Sequence, residues 1–273
     1  METEIVIEAG HAERNYWRDL FRYRELFYFL AWRDILVRYK QTVIGILWAV
    51  LRPLLTMLVF VLIFGKIAKL PSDGIPYPLM VFAGMLPWQL FAMSLSEGSN
   101  SLIANANLIS KVYFPRLIVP VSAVVVSLTD FLISGVLLGG LIIYYGIWPG
   151  LTLLALPLFT LLGIAASIGA GLWLSALNVK YRDFRYVVPF LVQFGLYVSP
   201  VGFTSALIPE KWRLLYSLNP MVGVIDGFRW AISGGRSAIF APGLVFSCAV
   251  TLILVASGIW YFRRVEKTFA DII

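Results

Sequence analysis

Apolar residues come in six long runs, and the segments between them carry most of the charge. The runs lie at about 42–64, 77–97, 117–145, 151–177, 187–204 and 242–262. Each approaches or exceeds the roughly 20 residues that a helix needs to cross the hydrocarbon core. Barrel strands are about half that length and alternate apolar with polar positions, which these runs do not. The pattern predicts an all-α polytopic membrane protein with six transmembrane helices. It divides the chain into a tail (1–19), a surface helix (20–41) and one membrane domain (42–273), with no internal repeat.

Three segments do not fit the pattern of simple spans. Along 20–41, Phe21, Tyr28, Trp32, Ile35 and Tyr39 share one helical face. Arg33 and Lys40 share another, and Asp34 and Arg38 stand at i,i+4, where opposite charges meet. This predicts an amphipathic helix at the cytoplasmic membrane surface, serving as an interfacial anchor or as a docking surface for a partner. Residues 98–116 form the longest inner loop and predict a short helix across the cytoplasmic face. On the outer side, 208–232 reads as two helices too short to span, a re-entrant hairpin. Pro209 suits the first turn of one, Asn219-Pro220 supplies an N-cap and N1 for the other, and Gly234-Gly235 ends it. Asp226 and Arg229, at i,i+3, are placed to pair across one turn.

Composition agrees with a lipid-facing chain: 60% of its 273 residues are hydrophobic and 14% charged. A soluble domain carries nearer a quarter charged residues. No secretory signal peptide is visible among the first 40 residues, so the first span is expected to act as the insertion signal. The net charge of +7 is resolved by its distribution rather than by a nucleic-acid partner. With both termini inside, the inner segments hold 15 of the Lys and Arg residues and the outer segments six. The positive-inside rule then orients the chain N-in and C-in. Trp148 and Trp260 fall near span ends, as interfacial rings prefer, whereas Trp48, Trp88 and Trp173 fall deeper, either packing helices or lining a substrate path.

Two charges fall inside spans. Arg52 precedes Pro53 near the middle of the first, and Asp130 lies at a similar depth in the third. A central Arg costs at least ~2.5–3.5 kcal/mol to insert, so it should face protein or water. Either Arg52 and Asp130 form an ion pair, or Arg52 lines a pathway for an anionic substrate. Pro53 in the first span, and Pro189 and Pro200 in the fifth, predict kinked helices.

Catalytic chemistry is missing. His11 is the one histidine, Cys248 the one cysteine, and nothing has the spacing of a metal site. No P-loop pattern occurs, so nucleotide is not expected on this chain. Any energy for transport must come from an ion gradient or a second protein. Asp130 alone qualifies as a midplane carboxylate, which favours the second protein.

Four segments carry a family resemblance in order: Arg33–Leu55, Leu108–Arg116, Leu177–Phe184 and Leu218–Ile232. Together they resemble the permease subunits of ABC-2 type polysaccharide exporters, from about residue 20 to near the end. The resemblance implies a homodimer in the bacterial inner membrane, with two copies of a separate ABC ATPase that holds ATP and Mg. It implies a lipid-linked polysaccharide substrate of O-antigen, capsule or teichoic-acid type, and no enzyme activity or bound cofactor on this chain. The interface helix would present Arg33, Arg38, Tyr39 and Lys40 at the substrate entrance. ATPase docking would fall to Asn105, Asn107, Leu108, Ile109, Lys111, Val112, Tyr113, Phe114 and Arg116. Candidates for the channel are Trp48, Arg52, Phe60, Trp88, Phe91, Asp130 and Tyr197. The outer gate would use Pro209, Trp212, Tyr216, Asn219, Pro220, Asp226 and Arg229. An ABC-2 permease for a drug or lipid, a gradient-driven carrier or passive channel, and a non-transporting scaffold are the competing readings.

Overall fold

With lipid as solvent, backbone N–H and C=O groups must be satisfied within each segment, and the described residues form helices with no strand among them. The structure is a computed structural model that describes residues 16–40, 45–72 and 74–269. Most of the tail and the first positions of the predicted first span fall outside the described residues.

In chain order the helices are α1 (Tyr16–Arg22), α2 (Arg24–Tyr39), α3 (Gly45–Phe60), α4 (Tyr77–Ala104), α5 (Ala106–Lys111) and α6 (Ile118–Tyr144), then α7 (Leu156–Lys180), α8 (Phe184–Val198), α9 (Glu210–Tyr216), α10 (Pro220–Ile232) and α11 (Ala241–Val265). A π-helical turn, Val61–Ile67, extends α3, which runs through Pro53. Short 3-10 turns precede α7 and follow α11. Among the described residues five helical segments are long and apolar enough to span: Leu47–Ile67, Tyr77–Ala104, Ile118–Tyr144, Gly150–Lys180 and Ala241–Thr268. The predicted fifth span is shorter than expected. α8 has 15 residues, about 22 Å at 1.5 Å per residue, because Ser199–Thr204, with Pro200 inside it, forms a turn rather than more helix.

At the centre stands α4, packed against α3, α6, α7, α8 and α10. Its residues from Leu79 to Trp88 are all buried. The larger core surrounds Phe82, Met85, Trp88, Phe159 and Phe228. A second core closes the end of the bundle where α1 and the turn after α11 lie, joining Tyr16 and Leu30 to Leu102, Ile109, Phe114, Phe262 and Phe269. Between these cores the helices meet through small residues. Lipid tails offer no hydrophobic drive for helix association, so close backbone approach does the work. Buried Ser101, Ser122, Ser167 and Ser175 bond carbonyls three positions back on their own helices, which hides their hydroxyls.

α7 and α11 cross backbone against backbone. A Cβ on Gly169 would stand 2.7 Å from the Leu254 carbonyl carbon, and one on Gly258 would stand 2.5 Å from the Gly169 oxygen. Backbone cannot swing aside as a side chain does. Gly258→Ala is therefore expected to part the two helices at a cost of about 1–3 kcal/mol, read as a lower unfolding midpoint in detergent. An unchanged midpoint would show that the crossing has slack.

Candidate functional site

The bundle has two ends of different character. One, the terminal end, carries α1, α2, α5, the α7–α8 turn and the 3-10 turn after α11. The other carries α9, α10 and the turn after α8.

At the terminal end, α2 packs on α6 and reaches α4. Arg33 donates to the Asn105 side chain at 2.9 Å, and Arg38 approaches Glu97 at 3.5 Å. Asn105 and Glu97 are eight positions apart on α4, about 12 Å, while Arg33 and Arg38 are five apart on α2, about 7.5 Å. With side-chain reach added, α2 climbs alongside α4 and α6 and brings Arg38 to Asp130. There the Arg38 guanidinium lies 2.7 Å from the carboxylate, and the Tyr39 hydroxyl donates to the same group.

Neither the Asp34–Arg38 pair expected from spacing nor the Arg52–Asp130 pair, one of the two alternatives for those charges, forms. Asp130 pairs with Arg38 and Tyr39, not with Arg52, whose side chain points out of the bundle among exposed residues of α3. Matched depth on two helices does not fix their rotational phase, and the phase of α3 turns Arg52 away. Asp34 in turn pairs with its neighbour Arg33 at 2.7 Å rather than with Arg38. Of the expected entrance residues, Lys40 is exposed, while Arg33, Arg38 and Tyr39 are engaged within the bundle.

The docking segment divides by burial. Its first seven positions, 98–104, are the end of α4 rather than loop. Asn105 is the joint: it ends α4, begins α5 and receives Arg33. Ile109 and Phe114 anchor the segment in the second core, with Leu108 packed beside them. Asn107, Lys111, Val112 and Tyr113 make an exposed edge. Arg116 is not on that edge. Its guanidinium turns back to the Glu266 carbonyl, and its backbone N–H donates to the Glu266 carboxylate at 2.9 Å.

At the other end the hairpin forms as two unequal helices. Pro209 caps α9 from outside its first turn, and Trp212 on α9 is exposed. α10 is a core element, buried from Met221 to Arg229. Asn219 caps it by accepting from the Met221 N–H at 3.0 Å, Pro220 takes N1, and Gly234 and Gly235 follow its end with φ of 69° and 82°. Tyr216 and Asn219 tie the hairpin to the end of α8 through the Val198 carbonyl and the Ser199 hydroxyl. Burial pushes the Tyr216 phenol above its ordinary pKa, so it remains a donor. Asp226 and Arg229 are both buried on α10, and Arg229 donates to the carbonyls of Val201 and Phe203 at 2.9 Å and of Met80 at 3.2 Å.

The channel candidates separate likewise. Phe60 and Trp88 are buried in the larger core, Phe91 packs against it, and Trp48 and Tyr197 are exposed on α3 and α8. On α8, Tyr186, Phe190, Phe194 and Tyr197 form one exposed aromatic stripe. The Phe190 and Phe194 rings are stacked 5.9 Å apart. Trp148 and Trp260 are exposed as expected, and Trp173 packs, stacked on Tyr261 and donating to Ser257.

Sequence reasoning passed over several connectors. Asn178 ties α7 to α4 through the Ser99 carbonyl and the Asn100 side chain, the Tyr77 hydroxyl donates to the Gly202 carbonyl, and the Glu266 carboxylate accepts from both Tyr16 on α1 and the Arg116 backbone N–H. Only Glu266 carries a visible signal, a carboxylate set between the basic pair Arg263-Arg264 and Lys267. Among the described residues no group of His, Cys, Asp and Glu is placed to hold a metal ion.

Known proteins resemble this chain along most of its length. It is 32% identical to the O-antigen export system permease protein RfbA of Myxococcus xanthus over 253 residues, which covers 91% of this chain and 96% of that one. The Klebsiella pneumoniae protein described in the same words is 29% identical, with 88% and 92% covered. The polysialic acid transport protein KpsM of Escherichia coli is 25% identical, with 86% and 91% covered. Five apolar helices and this kinship make the chain a multi-pass protein of the bacterial inner membrane. The ABC-2 type transporter profile matches residues 25–233, from the interface helix through the hairpin, and the chain belongs to that family.

Proposed function

We propose that this chain is the permease subunit of an ATP-driven exporter that moves a lipid-linked polysaccharide of O-antigen type across the inner membrane. The observation that carries the reading is near end-to-end similarity to O-antigen export permeases. In this reading α3, α4, α6, α7, α8 and α11 are six crossings, with α8 completed by the turn that follows it. The terminal end faces the cytoplasm. That orientation puts the exposed edge of Asn107, Lys111, Val112 and Tyr113 where a separate ATPase docks. ATP and Mg belong to that partner, and this chain holds no cofactor.

Two copies form the channel. The support is the incomplete cover of α3 and α8, whose exposed Trp48, Tyr186, Phe190, Phe194 and Tyr197 offer ring faces on which sugars stack. Arg52 shares the uncovered side of α3, where a second copy or an anionic linker shields it at lower cost than lipid does. The hairpin, with α9 outside and α10 inside, is the outer gate.

The test is deletion of the gene, followed by location of the glycan. Lipid-linked polymer is expected to accumulate in the cytoplasm and to vanish from the surface. Normal surface polymer in a strain with no second exporter would overturn the reading in favour of a drug or lipid substrate.

A further inference from the structure

Three segments far apart in sequence meet beside the docking edge. Glu266 opens the 3-10 turn after α11. Its carboxylate accepts from the Arg116 backbone N–H at 2.9 Å and from the Tyr16 hydroxyl at 3.3 Å. The Arg116 guanidinium returns to the Glu266 carbonyl and lies 6.0 Å over the Phe269 ring. One turn back on α11, Arg263 stacks 4.5 Å over the Tyr16 ring. Burial, and then the nearby Glu266, raise the Tyr16 pKa, so the phenol stays a donor.

Besides this clasp, directed backbone bonds among the described residues hold the segment only at its two ends, from the Val112 N–H to the Leu108 carbonyl at 3.0 Å and from the Ile118 and Val119 N–H groups to the Pro115 and Arg116 carbonyls at 3.1 Å. After Lys111 the backbone turns extended, with Val112 at ψ 134°, and α6 begins only at Ile118. Ile109 and Phe114 anchor it by apolar burial, which is non-directional. An apolar anchor fixes where the segment sits, whereas a directed N–H···O bond fixes its rotation. Lys111, Val112 and Tyr113 lie between the buried anchors and project outward. A rotation of this stretch about its anchors would re-aim all three side chains.

We infer that Glu266 is a positioning residue for ATPase docking: its carboxylate, held at the end of α11 beside α1, sets the pitch of residues 111–116 and so aims the Lys111–Tyr113 edge. This rests on the docking reading given above. It makes α1 and the 3-10 turn after α11 part of the docking apparatus, although neither lies on the docking edge.

The experiment measures the Kd of the full-length permease, in lipid nanodiscs, for its purified cognate ATPase, and the ATPase rate at saturation. Glu266→Ala is expected to raise Kd about tenfold, the scale of one lost charge-assisted hydrogen bond. The saturated rate should stay within about twofold, since the motor itself is untouched. Glu266→Gln keeps an oxygen for the Arg116 N–H and should bind within about threefold of the wild type. Glu266→Asp, one methylene shorter, keeps the charge but not the reach and should weaken binding as Ala does. If Glu266→Ala fails to accumulate, the Gln and Asp pair decides. Wild-type affinity in the Asp variant, or equal loss in Gln and Asp, overturns the positioning role. Lys111→Glu is the control for the docking reading itself. If it binds ATPase as well as the wild type does, the docking surface is misplaced. If it abolishes binding while Ala and Asp at 266 change nothing, docking stands and the clasp does not position it.

Discussion

Arg229→Leu is expected to prevent accumulation of the folded protein, the largest single-residue effect in the hairpin. Arg229 is 2% exposed, and its guanidinium donates to the carbonyls of Val201, Phe203 and Met80. The carbonyl between the first two, that of Gly202, accepts from the Tyr77 hydroxyl. Three successive carbonyls in the turn after α8 are therefore satisfied by two side chains. The turn has no helical bonds to offer them, and lipid-side burial offers no water. Leucine fills much of the volume but leaves three acceptors without Arg229. At about 1–3 kcal/mol for each unsatisfied buried group, the loss reaches several kcal/mol, against a whole-domain stability of about 5–15 kcal/mol. Arg229→Lys keeps the charge but not the planar fork, so it should retain part of the network and accumulate at reduced level. Size-exclusion profiles of fluorescent fusions, before and after a heat step, separate the three proteins. A Leu variant as monodisperse and heat-resistant as the wild type would sink this account.

The same residue shows what sequence reveals and what it withholds. Spacing places Asp226 and Arg229 one turn apart on a short helix with Asn219-Pro220 at its start, and the helix and cap form as expected. That α10 is buried on all sides does not follow from its 13 residues, because short length suggests a peripheral hairpin. Its burial comes from α4, α7 and α11 closing around it, which is tertiary information. Spans were legible because hydropathy is a one-dimensional property. α8 was harder, since Pro200 and Gly202 end a helix whose apolar run continues. The segment proposed for docking stands out by its motif, yet its division into anchors and exposed edge depends on which side meets the second core. Glu266 acts through Arg116, 150 positions away, and no local pattern joins two such positions.

Asp130→Ala is expected to release α2 from α6 and reduce export more than it reduces stability. The Asp130 side chain is 12% exposed and lies 2.7 Å from Arg38, which is 32% exposed and also approaches Glu97. A fully buried pair broken on one side costs about 3–5 kcal/mol. Arg38 retains Glu97 and is itself only partly buried, so the expected cost falls to about 1–2 kcal/mol. The functional loss is larger because Arg33, on the same helix, bonds Asn105 at the α4–α5 joint. With its Asp130 tether gone, α2 no longer links that joint to the middle of α6. A double-mutant cycle tests the assignment. Leucine at 38 and 130, singly and together, should show a coupling of about 1 kcal/mol, whereas leucine at 52 and 130 should be additive within about 0.5 kcal/mol. The 38/130 double variant should recover most of the stability, since no charge is left unpaired at the α2–α6 contact and Glu97 is exposed, but not export, since the tether is still absent. Coupling between 52 and 130 with none between 38 and 130 would return Asp130 to Arg52. Full export by the double variant would show that α2 needs only charge balance and not attachment.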